Sequence, residues 1–273
     1  MSERACWDAV DRFREAVLVH YHDEVKLPTA AEKAETARYI HMKYGLPGFA
    51  YGVDGMLARM ECAPRGLPEG PGLPNQQSFW TRKMCHAINC MVIGDDRHLI
   101  RFLDRDWHGS AHDARVWNQS AIKPIIEQDR EFLLAGDSAY PLSEVLIKPY
   151  SNAESLDDPR KALFNHRLSG ARSEMTENLF GRWVRRFPFV KQIRTHIRNS
   201  QRSISCCAVL HNWAENLRDV PVDDGDIPVP PDDSDEEDED VGHFHIVADC
   251  ADRNISRRRG QERRVNLLKI IFN

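Results

Sequence analysis

No Cys-x-x-Cys pair occurs among the seven cysteines, Cys6, Cys62, Cys85, Cys90, Cys206, Cys207 and Cys250. Their odd number and scatter exclude a disulfide framework or a zinc ribbon and predict reduced thiols. No apolar run approaches the roughly 18 residues of a membrane span, and Met1 to Asp11 is too polar for a signal peptide. The sequence therefore predicts a soluble intracellular chain with no membrane contact. No glutamate of the HExxH kind lies between His108 and His112, and Gly109-Ser110 makes their stretch a loop, which argues against a helical metal pair there.

Two further absences concern charge. From Asn178 to Ala214 there is no Asp or Glu, whereas Arg182, Arg185, Arg186, Lys191, Arg194, Arg198 and Arg202 fall inside that run. Such a surface suits the sequence-independent attraction of a phosphate backbone, and Arg182, Arg185, Arg186, Lys191, Arg194 and Arg198 are the candidate DNA contacts. From Asp223 to Asp240 there is no base but eleven acids, interleaved with Pro228, Pro230 and Pro231. That block predicts a solvated, disordered acidic segment, and it leaves the rest of a chain of net charge -5 basic.

What is present suffices for a real core: 41% of the 273 residues are hydrophobic. Residues 7 to 44 read as helical, and Phe49 to Val53 as a strand ending on Asp54. Pro64 to Pro74 reads as a surface loop. His86 to Ile93 and His98 to Leu103 form a hairpin about the turn residues Gly94-Asp95-Asp96-Arg97. Helices from about Asp113 to Ser120 and Pro124 to Gln128 then lead to a strand at Phe132, as in a βαβ unit.

Three carboxylates stand out. Asp137 follows an apolar strand at the position where open α/β sheets place ligands, although Asp followed by Ser, with Pro141 beyond, also suits a simple turn. Asp54 has a similar setting. Glu177 shares a helical face with Phe180, Gly181 and Val184, and a carboxylate on such a stripe needs a cation, either a metal ion or an arginine such as Arg172. Gly181 would let that helix approach the sheet closely.

Taken in order, Asp54-Gly55, Arg82-Lys83 before Ile88-Asn89, Gly109-Ser110-Ala111-His112-Asp113, Gly136-Asp137-Ser138-Ala139-Tyr140-Pro141, Phe164-Asn165, Arg172, Glu177-x-x-Phe180-Gly181 and Arg186-Phe187 resemble the DDE domain of PIF/Harbinger transposases and the nucleases derived from them. The resemblance implies an RNase H-like α/β fold, a mixed sheet flanked by helices. It implies that Asp54, Asp137 and Glu177 are catalytic and hold Mg²⁺ or Mn²⁺ for hydrolysis of double-stranded DNA in the nucleus. Those three should form one metal-sized cluster at the carboxyl end of the central strands, with Asp95, Asp106 and Asp113 outside it.

The expected organisation is a helical region at 1–46 without a complete helix-turn-helix, a DDE domain at 47–216, an acidic linker at 220–242 and a basic tail at 243–273. Because the family works with a separate Myb-like DNA-binding protein, the short N-terminal region suggests borrowed specificity. A homo-oligomer is a further expected partner state. Met56, where the family carries threonine, and the short N-terminus support an alternative: a domesticated, catalytically silent DNA-binding or scaffold protein on the same fold.

Overall fold

The structure is a computed structural model that describes residues 2–64, 67, 74–194, 196–219 and 250–272. The acidic segment at 220–242 and most of the Pro64 to Pro74 loop lie outside the described residues. The N-terminal region forms α1 (Glu3–His20), started by the Ser2 side chain accepting from the Ala5 amide, and α2 (Ala30–Tyr44). A reciprocal Thr29/Glu32 capping box opens α2, and Gly45 closes it at φ +68°, a conformation that favours glycine.

The chain then runs through β1 (Phe49–Met60), β2 (His86–Gly94), β3 (Ile100–His108), α3 (Asp113–Gln119), α4 (Lys123–Gln128), β4 (Leu133–Ala135) and β5 (Leu146–Ile147). It continues as α5 (Asn152–Leu156), α6 (Pro159–Met175), α7 (Glu177–Arg186), β6 (Gln192–Ile193), α8 (Ile197–Asn216) and α9 (Cys250–Phe272). The sheet order is β3-β2-β1-β4-β5, with β6 pairing β1. The β1-β2 and β2-β3 pairs are antiparallel and β1-β4 and β4-β5 are parallel, so this is the mixed, helix-flanked α/β sheet that the RNase H-like reading expects.

Two local readings need correction. β1 does not stop at Asp54: the antiparallel ladder with β2 extends from Gly52↔Gly94 to Met60↔His86, so tertiary pairing overrides the turn signal of Asp54-Gly55. The helices α3 and α4 do join parallel strands, but β3 and β4 are not neighbours, since β2 and β1 lie between them. The basic tail expected at 243–273 also packs against the domain through its described helix α9. Leu267 and Leu268 of α9 are buried in the cluster formed by α2, α6, Phe49, Leu133 and Ile147.

On one face of the sheet, Val53, Met91 and Leu134 pack with Val116, Trp117 and Ile126 of α3 and α4. On another side, Ile88, Cys90 and Val92 pack with Leu179 and Trp183 of α7 and Ile204 and Ala208 of α8. α8 also seals β3, because Asn212 accepts from the Ile100 amide at 2.8 Å and donates to the Ile100 carbonyl at 2.8 Å. No helix among the described residues is long and apolar enough to cross a membrane.

Candidate functional site

Register brings the first two carboxylates together. β4 pairs with β1 only as far as Ala135 opposite Gly52, and Asp137 and Asp54 each lie two residues further on. β4 has ended there while β1 continues, which leaves a step at the carboxyl end of β4. Asp54 is buried at this step, its Oδ1 accepting from the Gly55 amide at 2.8 Å. Asp137 Oδ1 accepts from the Ala139 amide at 3.0 Å, so the turn-forming role and a place in the site coexist in one residue.

Arg172 of α6 comes to the same step. Its Nη1 donates to Asp54 Oδ2 at 2.6 Å and its Nη2 donates to Glu177 Oε1 at 2.9 Å. Thr176, fully buried between α6 and α7, donates to the Arg172 carbonyl at 2.9 Å and lies 3.5 Å from Asp54 Oδ2. Glu177 is thus tied to the site through an arginine. Among the described residues no three acidic, histidine or cysteine side chains already meet as a metal-sized cluster, contrary to the expected direct convergence of Asp54, Asp137 and Glu177. The physical reason is that the buried Asp54 carboxylate needs a paired cation, and Arg172 supplies it.

The helical face assigned to Glu177 is likewise shifted. α7 buries Leu179 and Trp183, and the Glu177 side chain, on the first residue of the helix, keeps 45% exposure. A Cβ on Gly181 would meet nothing within 4 Å, so that glycine mediates no close approach. The close approach is made by the sheet. A Cβ at Gly94 would stand 2.3 Å from the Met175 carbonyl oxygen, and one at Gly52 would stand 2.9 Å from Met175 Cβ and Thr176 Cγ2. These two glycines, opposite each other on β1 and β2, form the notch that seats the α6-α7 junction bearing Arg172 and Glu177.

Asp113, expected outside, faces the site from the opposite side of the sheet. A Cβ at Gly55 would lie 2.8 Å from Asp113 Oδ1, so glycine there is what admits the carboxylate. Asn89 donates to Asp113 Oδ1 at 3.3 Å and to the Ala111 carbonyl at 3.0 Å. The sequence makes Asp113 a helix start and the end of the Gly109-Ser110-Ala111-His112-Asp113 block, outside the expected cluster; the signal for its approach is Asp54-Gly55 itself, where glycine after a carboxylate marks close approach as well as a turn.

The electrostatics agree with the geometry. Burial pushes Asp54 up to about 7 against the pull of Arg172, with Asp137 and Asp113 adding repulsion. Burial pushes Asp113 up to about 6, helped by Asp137 and opposed by the Asn89 hydrogen bond and Arg82. Asp137 is raised by burial and held down chiefly by Arg172. The Tyr140 phenol is raised by burial and by Asp113, Asp54 and Asp137 together, so it feels all three. Its oxygen is buried with no hydrogen-bond partner among the described residues, and Asn89 Oδ1 is in the same position. The carboxylates and the two unsatisfied buried oxygens are donors of the kind hard divalent cations take, although they do not already meet as a cluster among the described residues.

The basic run divides in two. Glu215, the first acid after the acid-free stretch, takes Arg182 through 3.0 and 2.6 Å bonds and Arg186 at 2.9 Å. Arg186 also donates to His211 Nδ1 at 2.9 Å and to the Asp219 carbonyl. Both arginines are therefore internal ion pairs, which corrects their assignment as phosphate contacts. Arg194 pairs with Glu61 at 2.7 Å while remaining exposed, and Lys191 is half-buried. Arg185 and Arg198 are exposed.

Residues 53–212, more than half of the chain, match the family described as DDE superfamily endonuclease. The rat protein named "Putative nuclease HARBI1" is 28% identical over 206 residues, covering 71% of this chain and 55% of the relative. Its bovine counterpart is 29% identical over 177 residues, covering 62% and 47%, and the human one 27% over 177 residues with the same coverage. The chain spans about half the length of the curated relatives it matches. No solved structure matches.

Proposed function

This chain belongs to the DDE superfamily endonucleases, and from that premise we propose that it hydrolyses phosphodiester bonds of double-stranded DNA with the help of a divalent cation, Mg²⁺ or Mn²⁺. The observation that carries the proposal is the register that sets Asp54 and Asp137 at the end of the parallel β1-β4 pairing, with Arg172 tying Asp54 to Glu177. Asp54, Asp137 and Glu177 would hold the cation. When bound, the cation supplies Lewis-acid stabilisation and activates the attacking hydroxyl.

The chain's own residues prepare that chemistry. Burial at the β4 step excludes water around Asp54, which strengthens every charge interaction made there. Arg172 offsets the negative charge of Asp54 and Glu177 and anchors both, so metal loading requires the guanidinium to share or yield its two oxygens. The Tyr140 hydroxyl, buried without a hydrogen-bond partner among the described residues, would be available to donate to an oxygen that comes beside it.

The resemblance to PIF/Harbinger-derived proteins extends the proposal to action in the nucleus and to a separate Myb-like DNA-binding protein that supplies sequence choice, with self-association as a further state. A second reading, a catalytically silent DNA-binding or scaffold protein, is favoured by one observation: an arginine already bridges Asp54 and Glu177. Supercoiled-plasmid nicking by purified protein separates the two. The nuclease reading expects nicking with Mg²⁺ or Mn²⁺, loss in EDTA, and loss in Asp137→Asn with the fold retained; wild-type nicking in Asp137→Asn removes the catalytic assignment.

A further inference from the structure

The carboxylate site has a cationic shoulder on its β5 side. Ala135 pairs with Ile147, which puts Lys148 at the carboxyl end of β5 beside the Asp137 loop, and its Nζ donates to the Ser138 carbonyl at 2.7 Å. α9 is fastened against this edge. Arg264, 5% exposed, stacks 3.6 Å from the Tyr150 ring centroid and donates to the Pro149 carbonyl at 2.9 Å and Glu154 Oε1 at 3.1 Å. Gly260 lies so close to Ser143 that a Cβ would stand 2.7 Å from its carbonyl oxygen.

This docking brings one arginine face of α9 to the site. Arg257 precedes Arg264 by seven residues, close to two full turns, so both share a helix face. Burial and the nearby charges of Arg264 and Arg257 push the Lys148 ammonium below the usual lysine range, against the opposing pull of Asp137. Arg257 is exposed. The buried, hydrogen-bonded Arg264 thus fixes the face of α9 on which the exposed Arg257 lies, at the sheet edge where Lys148 holds the residue after Asp137.

We propose that Lys148 and Arg257 form a phosphate clamp, with α9 as its rigid arm, that receives the nucleic-acid backbone on the β5 side of the Asp54-Asp137 step. The clamp rests on the reading of nucleic acid as substrate. Two cations bordering a carboxylate cluster suit a polyanion that must place one phosphate over the acids and its neighbours over bases. With Arg182 and Arg186 engaged by Glu215, α9 adds phosphate contacts that those two arginines do not make.

The test is fluorescence anisotropy of a labelled DNA duplex with the full chain in EDTA, titrated over a range of KCl. Arg257→Gln and Lys148→Gln should each weaken binding to unrelated duplexes alike and lower the slope of log affinity against log salt by about one. Arg259→Gln, an equal charge change about 200° round the helix, should leave the slope unchanged. Wild-type slopes in Arg257→Gln and Lys148→Gln would overturn the clamp while leaving nucleic-acid binding intact, and equal falls in all three variants would assign the effect to net charge and overturn it too. A wild-type chain that binds no duplex would overturn the substrate reading and the clamp together. Far-ultraviolet circular dichroism melts on each variant ensure that a changed slope is read from folded protein.

Discussion

Arg172 donates to Asp54 over 2.6 Å, joining side chains that are 10% and 7% exposed. Removing one partner of a buried pair strands the other, at a typical cost of about 3–5 kcal/mol. Arg172→Met should therefore lower metal-free stability by about that amount in urea unfolding, with Mn²⁺ restoring part of it. The Asp54→Asn/Arg172→Met double variant should recover most of the loss, because no buried charge remains unpaired. A loss below about 1 kcal/mol in the single variant would mean that the pair is not what holds α6 at the site.

Asp113 Oδ1 occupies the space beside Gly55, the residue that follows Asp54. Asp113→Asn keeps the shape and removes the charge, and we expect metal affinity to fall by about 10- to 100-fold, the scale of changes beside metal ligands. Calorimetric titration with Mn²⁺ reads this without any turnover. Unchanged affinity would confine Asp113 to orienting Asn89.

His211 is fully buried, accepting from Arg186 at Nδ1 and facing the His98 carbonyl at Nε2, with Glu215 and Arg182 nearby. Burial pushes it down to about 4 from a normal value of 6.5. A histidine with a depressed folded pKa contributes stability that is complete above about 6.5 and lost as pH falls toward 4, because the unfolded chain takes the proton first. Relative to His211→Gln, the wild type should lose on the order of 3 kcal/mol across that window, at about 1.4 kcal/mol per unit. Parallel pH profiles for the two proteins would refute a neutral buried imidazole.

Arg185 and Arg186 are adjacent, yet only Arg185 is exposed. Arg186→Gln should lower stability by about 1–3 kcal/mol, since Glu215 loses a charged donor, and leave the salt slope of duplex binding nearly unchanged. Arg185→Gln should do the reverse, shifting the slope by about one with little change in melting temperature. Equal slopes for both would restore the acid-free run as one continuous phosphate-facing surface.

The contrast between these neighbours shows how far the sequence could be read. The alternation and breakers around Phe49, His86, Asp113 and Leu133 announce the sheet and its helices because those signals are local. The phase of α7 is not local: Glu177, Phe180 and Val184 make a plausible stripe, but Gly52 and Gly94 receive Met175 and Thr176, and that contact turns Leu179 and Trp183 inward. Arg172 was already a candidate partner for Glu177, and only tertiary structure adds Asp54 to the same guanidinium. Asp113 stayed hidden because its approach depends on Gly55, 58 places earlier in the chain, and Glu215 hid the fate of Arg182 and Arg186 by standing one residue beyond the acid-free run.

Gly94→Ala should destabilise by about 1–3 kcal/mol, as overpacking against backbone does, and Gly181→Ala should stabilise by about 0.5–1 kcal/mol, having free space and a helical site. Urea unfolding of the pair checks both signs at once. If Gly94→Ala is neutral, the notch yields more easily than its 2.3 Å contact implies.

That notch also bears on how the protein tolerates variation. A side chain at position 94 would push on Met175, and the displaced junction carries Arg172 on one side and Glu177 on the other. A saturation library scored for nicking alone would then rank Gly94 and Gly52 beside the aspartates, although neither glycine can touch a substrate with a side chain. Scored for abundance as well, the library would split them: Asp137 loses activity at full abundance, whereas the glycines lose both in step.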